Sequence, residues 1–263
     1  MGRARLITLT TDFGSRDWFV GTVKGVIHAI EPRAAIIDLT HEVAPGDIRA
    51  AAFTLAASFR FFPAGTVHVA VVDPGVGGAR HALAVQTQKY FFVGPDNGVL
   101  SWALRREGIR AVHALEDSTF FLKPVSRTFH GRDIFAPVAA RLCQGIPIKK
   151  LGPSLSDYVR LDWPEPRALS HGLRGEVVYI DRFGNAITNI AVANLPRERA
   201  LEVFLTGKKV CPLAQTYGSV PAGQPVAVRG SSGFLELAIN GGNAARKLRI
   251  HVGASVLVVR RRR

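Results

Sequence analysis

The chain has 263 residues, 47% hydrophobic and 21% charged, enough for one large domain or two smaller ones with a core in each. No window approaches the roughly eighteen uncharged apolar residues that a membrane helix needs, so no membrane partner is expected. The net charge of +14 leaves nucleic acid open as a partner, but the basic residues are scattered, only eight of the 34 are lysine, and only Arg260 to Arg263 form a run. An arginine-rich composition is the simpler account, and the tail reads as a solvated terminus.

Met1 to Arg5 lead straight into a strand at Leu6 to Thr10, with no apolar stretch or cleavage site of a signal peptide. Phe19, Val23, Val26, Ile27 and Ile30 then recur at helical spacing. Ala34 to Leu39 is a second strand, and Gly46-Asp47 precedes a helix carrying Ile48, Ala52, Leu55 and Phe59. Strand-like runs follow at Val67 to Val72, Ala82 to Val85 and Tyr90 to Val93. The turn Pro95-Asp96-Asn97-Gly98 opens into Val99 to Leu104, and Ile134 to Leu142 is again helical. This alternation predicts a largely parallel, helix-covered sheet. Composition changes near Leu161-Asp162-Trp163-Pro164. Beyond it come short β-type runs at Glu176 to Ile180, Ala186 to Ile190, Leu201 to Leu205, Val226 to Val228, Phe234 to Leu237 and Ser255 to Val259. Gly, Pro and Asn separate them, as in a small antiparallel barrel or sandwich. The expected division is an α/β domain over 1–162, a linker over 163–172 and a β domain over 173–263. Cys143 and Cys211 are isolated, without disulfide or zinc spacing, and a cytoplasmic location fits.

Polar residues collect at strand ends. Asp12 closes the first strand, where a carboxylate is placed to accept both hydroxyls of a ribose; Asp17 is either a site residue or the cap of the next helix. Asp73-Pro-Gly-Val-Gly-Gly-Ala-Arg80 follows a buried strand, and its glycines let backbone come close to a ligand. In Thr128-Phe129-His130-Gly131-Arg132-Asp133, His130 has the titration range of a general base or is a hydrogen-bonded loop histidine. Asp133 reads as a helix cap or salt-bridge partner. Asp181 to Asn185, Gly230 to Phe234 and Asn240 to Ala244 taken singly are hairpin turns. None of the glycine motifs is a P-loop or a strand-borne GxGxxG. Residues alone would also allow a metal-dependent phosphoesterase acting on a nucleotide, built on Asp12, Asp73, Asp96 and His130, or a basic nucleic-acid-binding protein.

In chain order these loops resemble the S-adenosyl-L-methionine hydroxide adenosyltransferases, relatives of the fluorinating and chlorinating enzymes. The marks are Thr11-Asp12-Phe13-Gly14, the Asp73 loop with Arg80, Thr128 to Asp133, Asp181 to Asn189, Ser231 to Glu236 and Asn243-Ala244-Ala245. The resemblance implies an α/β first domain and a β-barrel second domain, in a homotrimer whose active sites lie at subunit interfaces. It implies hydrolysis of S-adenosylmethionine to adenosine and methionine, with no cofactor and no metal. Asp73, Arg80 and His130 would handle the water. Asp12 would meet the ribose hydroxyls, and Asp17, Asp181 and Ser231 the methionine end. Phe183, Asn185, Asn243 and Ala244 would form the adenine pocket, with Thr128 and Phe129 as further substrate contacts. Gly230 stands where relatives usually carry Asn. Gly131 replaces the serine of the fluorinating enzymes, and Arg80 runs directly into the strand at Ala82 without their extra loop, so halogenation is not expected.

Overall fold

The computed structural model describes residues 6–195 and 201–260. The segment Met1 to Arg5 and the residues Arg261 to Arg263 of the arginine run lie outside them. The chain divides into two compact units, Met1–Leu161 and Asp162–Arg263.

The first unit contains β1 (Leu6–Thr11), α1 (Phe19–Ile30), β2 (Ala35–Thr40), α2 (Ile48–Ser58), β3 (Val67–Val71), β4 (Ala82–Thr87), β5 (Phe91–Pro95), α3 (Ser101–Leu104), β6 (Ile109–Ala114) and α4 (Ala136–Gln144). Its sheet runs β2-β1-β3-β5-β4-β6, parallel from β2 to β5, with β4 antiparallel to both neighbours. Strand alternation sorts the side chains. Ile7, Leu9, Val67, Val69, Val71 and Val93 join Val23 and Ile27 of α1 and the buried face of α4 in one core. Thr8, His68 and Phe92 point the other way, where Phe59 packs after α2. The Asp47 carboxylate caps α2, accepting from the Ala50 amide at 2.9 Å. The helix expected from Ile134 is preceded by a π-helical turn over Gly131–Phe135, and α4 proper starts at Ala136 with Pro137 in its first turn.

The second unit contains β7 (Arg167–Leu169), β8 (Gly172–Ile180), β9 (Ala186–Ala191), β10 (Leu201–Leu205), β11 (Lys208–Ala214), β12 (Pro225–Arg229), β13 (Phe234–Ile239), α5 (Ala244–Leu248) and β14 (Ser255–Arg260). The order β14-β10-β11-β12-β13-β9-β8 closes on itself because β14 also pairs with β8, giving a seven-stranded barrel with β7 beside β8. Alternating Leu201, Val203, Leu205, Val256 and Val258 fill its interior. All neighbours are antiparallel except β11 and β12. The turns at Asp181 to Asn185 and Gly230 to Gly233 do join hairpins, β8–β9 and β12–β13. Asn240 to Asn243 does not: it leads into α5, whose N-cap is Asn243, with Oδ1 accepting from the Arg246 amide at 2.8 Å.

Candidate functional site

β1 stands between β2 and β3, and the chain winds from β1 to β2 and then back across to β3. This reversal of direction opens a crevice at the carboxyl ends of β1 and β3, the place where open parallel sheets take ligands. Asp12 leaves β1 there and Asp73 follows β3. Their strands are in register, with Thr11 opposite Val71. Asp12 Oδ2 accepts from the Gly46 amide at 2.9 Å, which leaves Oδ1 as the freer oxygen.

Arg80 folds back onto Asp73. Its Nε donates to Oδ1 at 3.1 Å and Oδ2 at 3.0 Å, and its Nη2 also donates to Oδ2. The two side chains are only 12% and 5% exposed. Arg80 Nη2 lies 2.8 Å from His130 Nδ1. A guanidinium N–H only donates, so Nδ1 must accept and the neutral ring carries its proton on Nε2. Burial, and then the Arg80 charge, push the His130 pKa below its ordinary value, outweighing the opposite pull of Asp73 and Asp133. The structure therefore joins Asp73, Arg80 and His130 into one hydrogen-bonded unit. Gly77 brings the two loops together: its φ is +75°, and a Cβ there would overlap the Arg127 carbonyl oxygen.

Asp133 is fully buried and structural. Its Oδ1 accepts from Arg132 Nε at 2.6 Å and its Oδ2 from the Ser126 amide at 2.8 Å, fixing the loop ahead of His130. Thr128 is exposed, its hydroxyl 3.2 Å from Ser126 Oγ. Phe129 packs on Phe13 and Phe19, with ring centroids 5.8 and 5.3 Å away. A Cβ on Gly131 would come within 3.1 Å of the Phe13 ring, so this position is closed to a side chain unless the ring moves. Asp17 is exposed and is not the α1 cap; Trp18 is, without a side-chain hydrogen bond.

The acids of the metal-site alternative are drawn into other bonds. Asp96 Oδ1 accepts from the Val159 amide at 2.7 Å, Asp73 is engaged by Arg80, and Asp12 by Gly46. Among the described residues no group of three or more His, Cys, Asp or Glu side chains is placed to hold a metal ion.

The second unit carries its own open cleft of about 750 Å³, lined by Asp181, Phe183, Asn185, Tyr217, Ser231 and Glu236 among others. Asp181 Oδ1 accepts from the Phe183 and Asn185 amides at 2.9 and 2.8 Å, and Oδ2 from Asn185 Nδ2 at 3.1 Å. This staples the turn and presents Phe183, 74% exposed, to the cleft. Asn243 lies over Gly184, where a Cβ would overlap its amide group, and the Ala245 amide donates to the Gly184 carbonyl at 2.8 Å. Asn185, Asn243 and Ala244 are thereby gathered at one turn. Ser231 is exposed, whereas Ser232 Oγ is buried and has no hydrogen-bond partner among the described residues. Gly230 has a local reason: a Cβ would stand 2.9 Å from both Glu236 Oε2 and the Phe234 carbonyl.

Two cleft residues have no role in the sequence reading. Tyr217 donates to Glu236 Oε1 at 2.6 Å. Burial, and secondarily the Asp181 charge, raise the Glu236 pKa against that hydrogen bond, and the same bond together with burial pushes the Tyr217 hydroxyl up to about 12. Glu236 stands within the Ser231 segment, a usable signal; nothing in the sequence marks Tyr217.

Among the described residues no helix is long and apolar enough to cross a membrane. Residues 7–152 match the model of the SAM hydroxide adenosyltransferase N-terminal domain, and residues 175–257 match that of the C-terminal domain. A Thermus thermophilus protein named (R)-S-adenosyl-L-methionine hydrolase is 41% identical, over 96% of this chain and 98% of its own. A Salinispora tropica protein of the same name is also 41% identical, over 94% and 95%. The solved structure of an uncharacterized conserved protein from Thermotoga maritima superposes with a TM-score of 0.92 at 37% identity, covering 97% of this chain and all of the other. Both domain models match in order, one on each unit, and the chain belongs to the SAM hydroxide adenosyltransferase family.

Proposed function

We propose that the protein hydrolyses S-adenosyl-L-methionine to adenosine and L-methionine, acting on the (R) sulfonium epimer for which its relatives are named. The observation that carries this reading is the hydrogen-bonded unit of Asp73, Arg80 and His130 at the crevice beside β1, in a chain of this family. The sulfonium makes neutral methionine a good leaving group, so no acid is needed at sulfur. Water attacks the ribose C5′, the C5′–S bond breaks with its electron pair to sulfur, and one proton is released per turnover. Asp73 and Arg80 hold the water. The proton passes to the Asp73 carboxylate and then to solvent, since Arg80 cannot accept it and His130 Nδ1 is already filled by the Arg80 N–H. Alignment of water with carbon contributes up to roughly 7–11 kcal/mol in well-oriented cases, and base assistance about 10²–10⁴ in rate.

In the same reading Asp12 binds the ribose diol. Asp17, Asp181 and Ser231 meet the methionine end, and Phe183, Asn185, Asn243 and Ala244 the adenine, with Thr128 and Phe129 as further contacts. Residues 1–162 act as the catalytic domain and 173–263 as the barrel domain. The two sets of residues act together in a homotrimer, each site formed at a subunit interface; exposed Trp18, Ile37 and Phe61 are suited to such contacts. A cytoplasmic setting is supported by the two buried free thiols. The test is purified protein with each sulfonium epimer, with and without EDTA, and an Asp73→Ala control, following adenosine and methionine by chromatography. Equimolar products from the (R) epimer, indifferent to EDTA and absent in the variant, are expected; a folded protein without turnover overturns the reading.

A further inference from the structure

The backbone ladders that hold β3 stop short of Asp73. Pairing with β1 ends at Thr11 and Val71, and pairing with β5 at Val69 and Val93. Val72, fully buried, lies past both ladders, and its carbonyl oxygen needs a partner from elsewhere. Asn97 supplies it, with Nδ2 donating at 2.8 Å. The other end of the same amide, Oδ1, accepts from the Val99 amide at 3.1 Å and holds the turn closed. One residue earlier, the Asp96 amide donates to the His81 carbonyl at 2.9 Å. A single turn thus grips the residue before Asp73 and the residue after Arg80. The turn is itself anchored, through the Asp96 carboxylate on the Val159 amide at 2.7 Å and through Ser101 Oγ donating to the Gly98 carbonyl at 2.6 Å. Between its two ends the loop is closed by the Arg80–Asp73 pairing and by backbone bonds from Val76 to Asp73 at 3.1 Å and from Gly78 to Gly75 at 3.0 Å.

We propose that Asn97 is a positioning residue: its side-chain amide sets where Asp73, and through it Arg80 and His130, stand in the crevice. Its effect on turnover rests on the hydrolase reading above; its effect on the hydrogen-bonded unit does not. Asn97→Asp separates the two jobs of the side chain. It keeps the acceptor for the Val99 amide, and so the turn, but sets an oxygen against the Val72 carbonyl where a donor stood.

The experiment compares wild type, Asn97→Asp and Asn97→Gln, the last keeping both amide groups one methylene farther out and standing in if Asn97→Asp does not fold. The expected kcat for S-adenosylmethionine is about 10²-fold lower with KM unchanged, the signature of misplaced reacting groups rather than lost binding. Without substrate, the imidazole nitrogen resonances of His130, assigned by their loss in His130→Gln, are expected to titrate closer to ordinary histidine as Arg80 loosens. A folded variant with the wild-type His130 titration overturns the inference, whether or not the wild type turns over. A wild type without turnover, alongside a shifted titration, upholds the tether and fails the hydrolase reading alone.

Discussion

Arg80 is the one member of the trio that never loses its charge, and that fixes the state of the other two. Protonation of His130 at Nδ1 would set an N–H against the Arg80 N–H and break the unit. The His130 pKa is below its ordinary value of about 6.5. Activity is therefore expected to be full at neutral pH and to fall only as pH drops below that value, read as an acid limb in kcat/KM. An inflection above 7 would show that His130 does not govern the rate. Arg80→Lys keeps the charge but not the fork that meets Asp73 and His130 together, and a loss of about 10²-fold in kcat is expected. A second histidine sets an acid limit on stability instead. His68 is fully buried among Phe59, Phe62, Tyr90 and Phe92, its Nδ1 2.7 Å from Thr8 Oγ1, and burial pushes its pKa down to about 3. Unfolded, it titrates near 6.5, so between these values the unfolded chain binds the extra proton. The contribution is intact above about 6.5 and is lost as pH falls toward 3, with a slope of up to about 1.4 kcal/mol per pH unit. Replacing His68 by Phe together with Thr8 by Val, so that no hydroxyl is stranded, is expected to flatten that acid dependence in urea unfolding. An unchanged slope would assign it to other groups.

At the scale of elements, the crevice depends on loops that must touch. Gly77 cannot become alanine without moving the Arg127 backbone, because φ is positive and the Cβ has no room. Gly77→Ala is expected to cost about 1–3 kcal/mol of local strain and a larger share of kcat, since it pushes the loop of His130 away from Asp73. Equal thermal stability and turnover to wild type would refute the packing argument. The sheet and most of the barrel were legible in the sequence because their strands are continuous or alternating apolar runs. β6 and β11 were not: Arg110 and His113 break the first run, and Lys208, Lys209 and Pro212 disguise the second, where the register slips near Val203. Asp73 and Arg80 were legible as candidates because a buried strand ends in a glycine loop. The different fates of Asp73 and Asp96 were not, since each is an acid in a turn and only the fold shows that Arg80 engages the first and the Val159 amide the second; Asp133, read as a helix cap or salt-bridge partner, does pair with Arg132.

For the whole molecule, the proposed interface site has a sharp consequence. Asp73→Asn disables the site residues of the first unit and Asp181→Asn those of the second. If every site draws the two sets from different subunits, random mixed trimers of the two inactive variants regain about one half times one half, or one quarter, of wild-type activity. If each subunit supplies a whole site, mixing restores nothing. Unfolding and refolding the two variants together, then measuring adenosine release, distinguishes the outcomes.

The lone parallel pair between β11 and β12 follows from parity. Each antiparallel neighbour reverses direction, and a closed ring must return to its starting sense, so an odd number of strands demands at least one pair running alike. Seven strands therefore cannot be made wholly antiparallel by any substitution; a strand would have to be gained or lost. A like-directed pair cannot be joined by a tight turn, so the chain leaving β11 at Ala214 must run back against the strand direction before it enters β12 at Pro225. That return path carries Tyr217 to Glu236 at the rim of the cleft. The phenol is thus delivered to its carboxylate by strand arithmetic, and an eight-stranded relative would have no need to send it there.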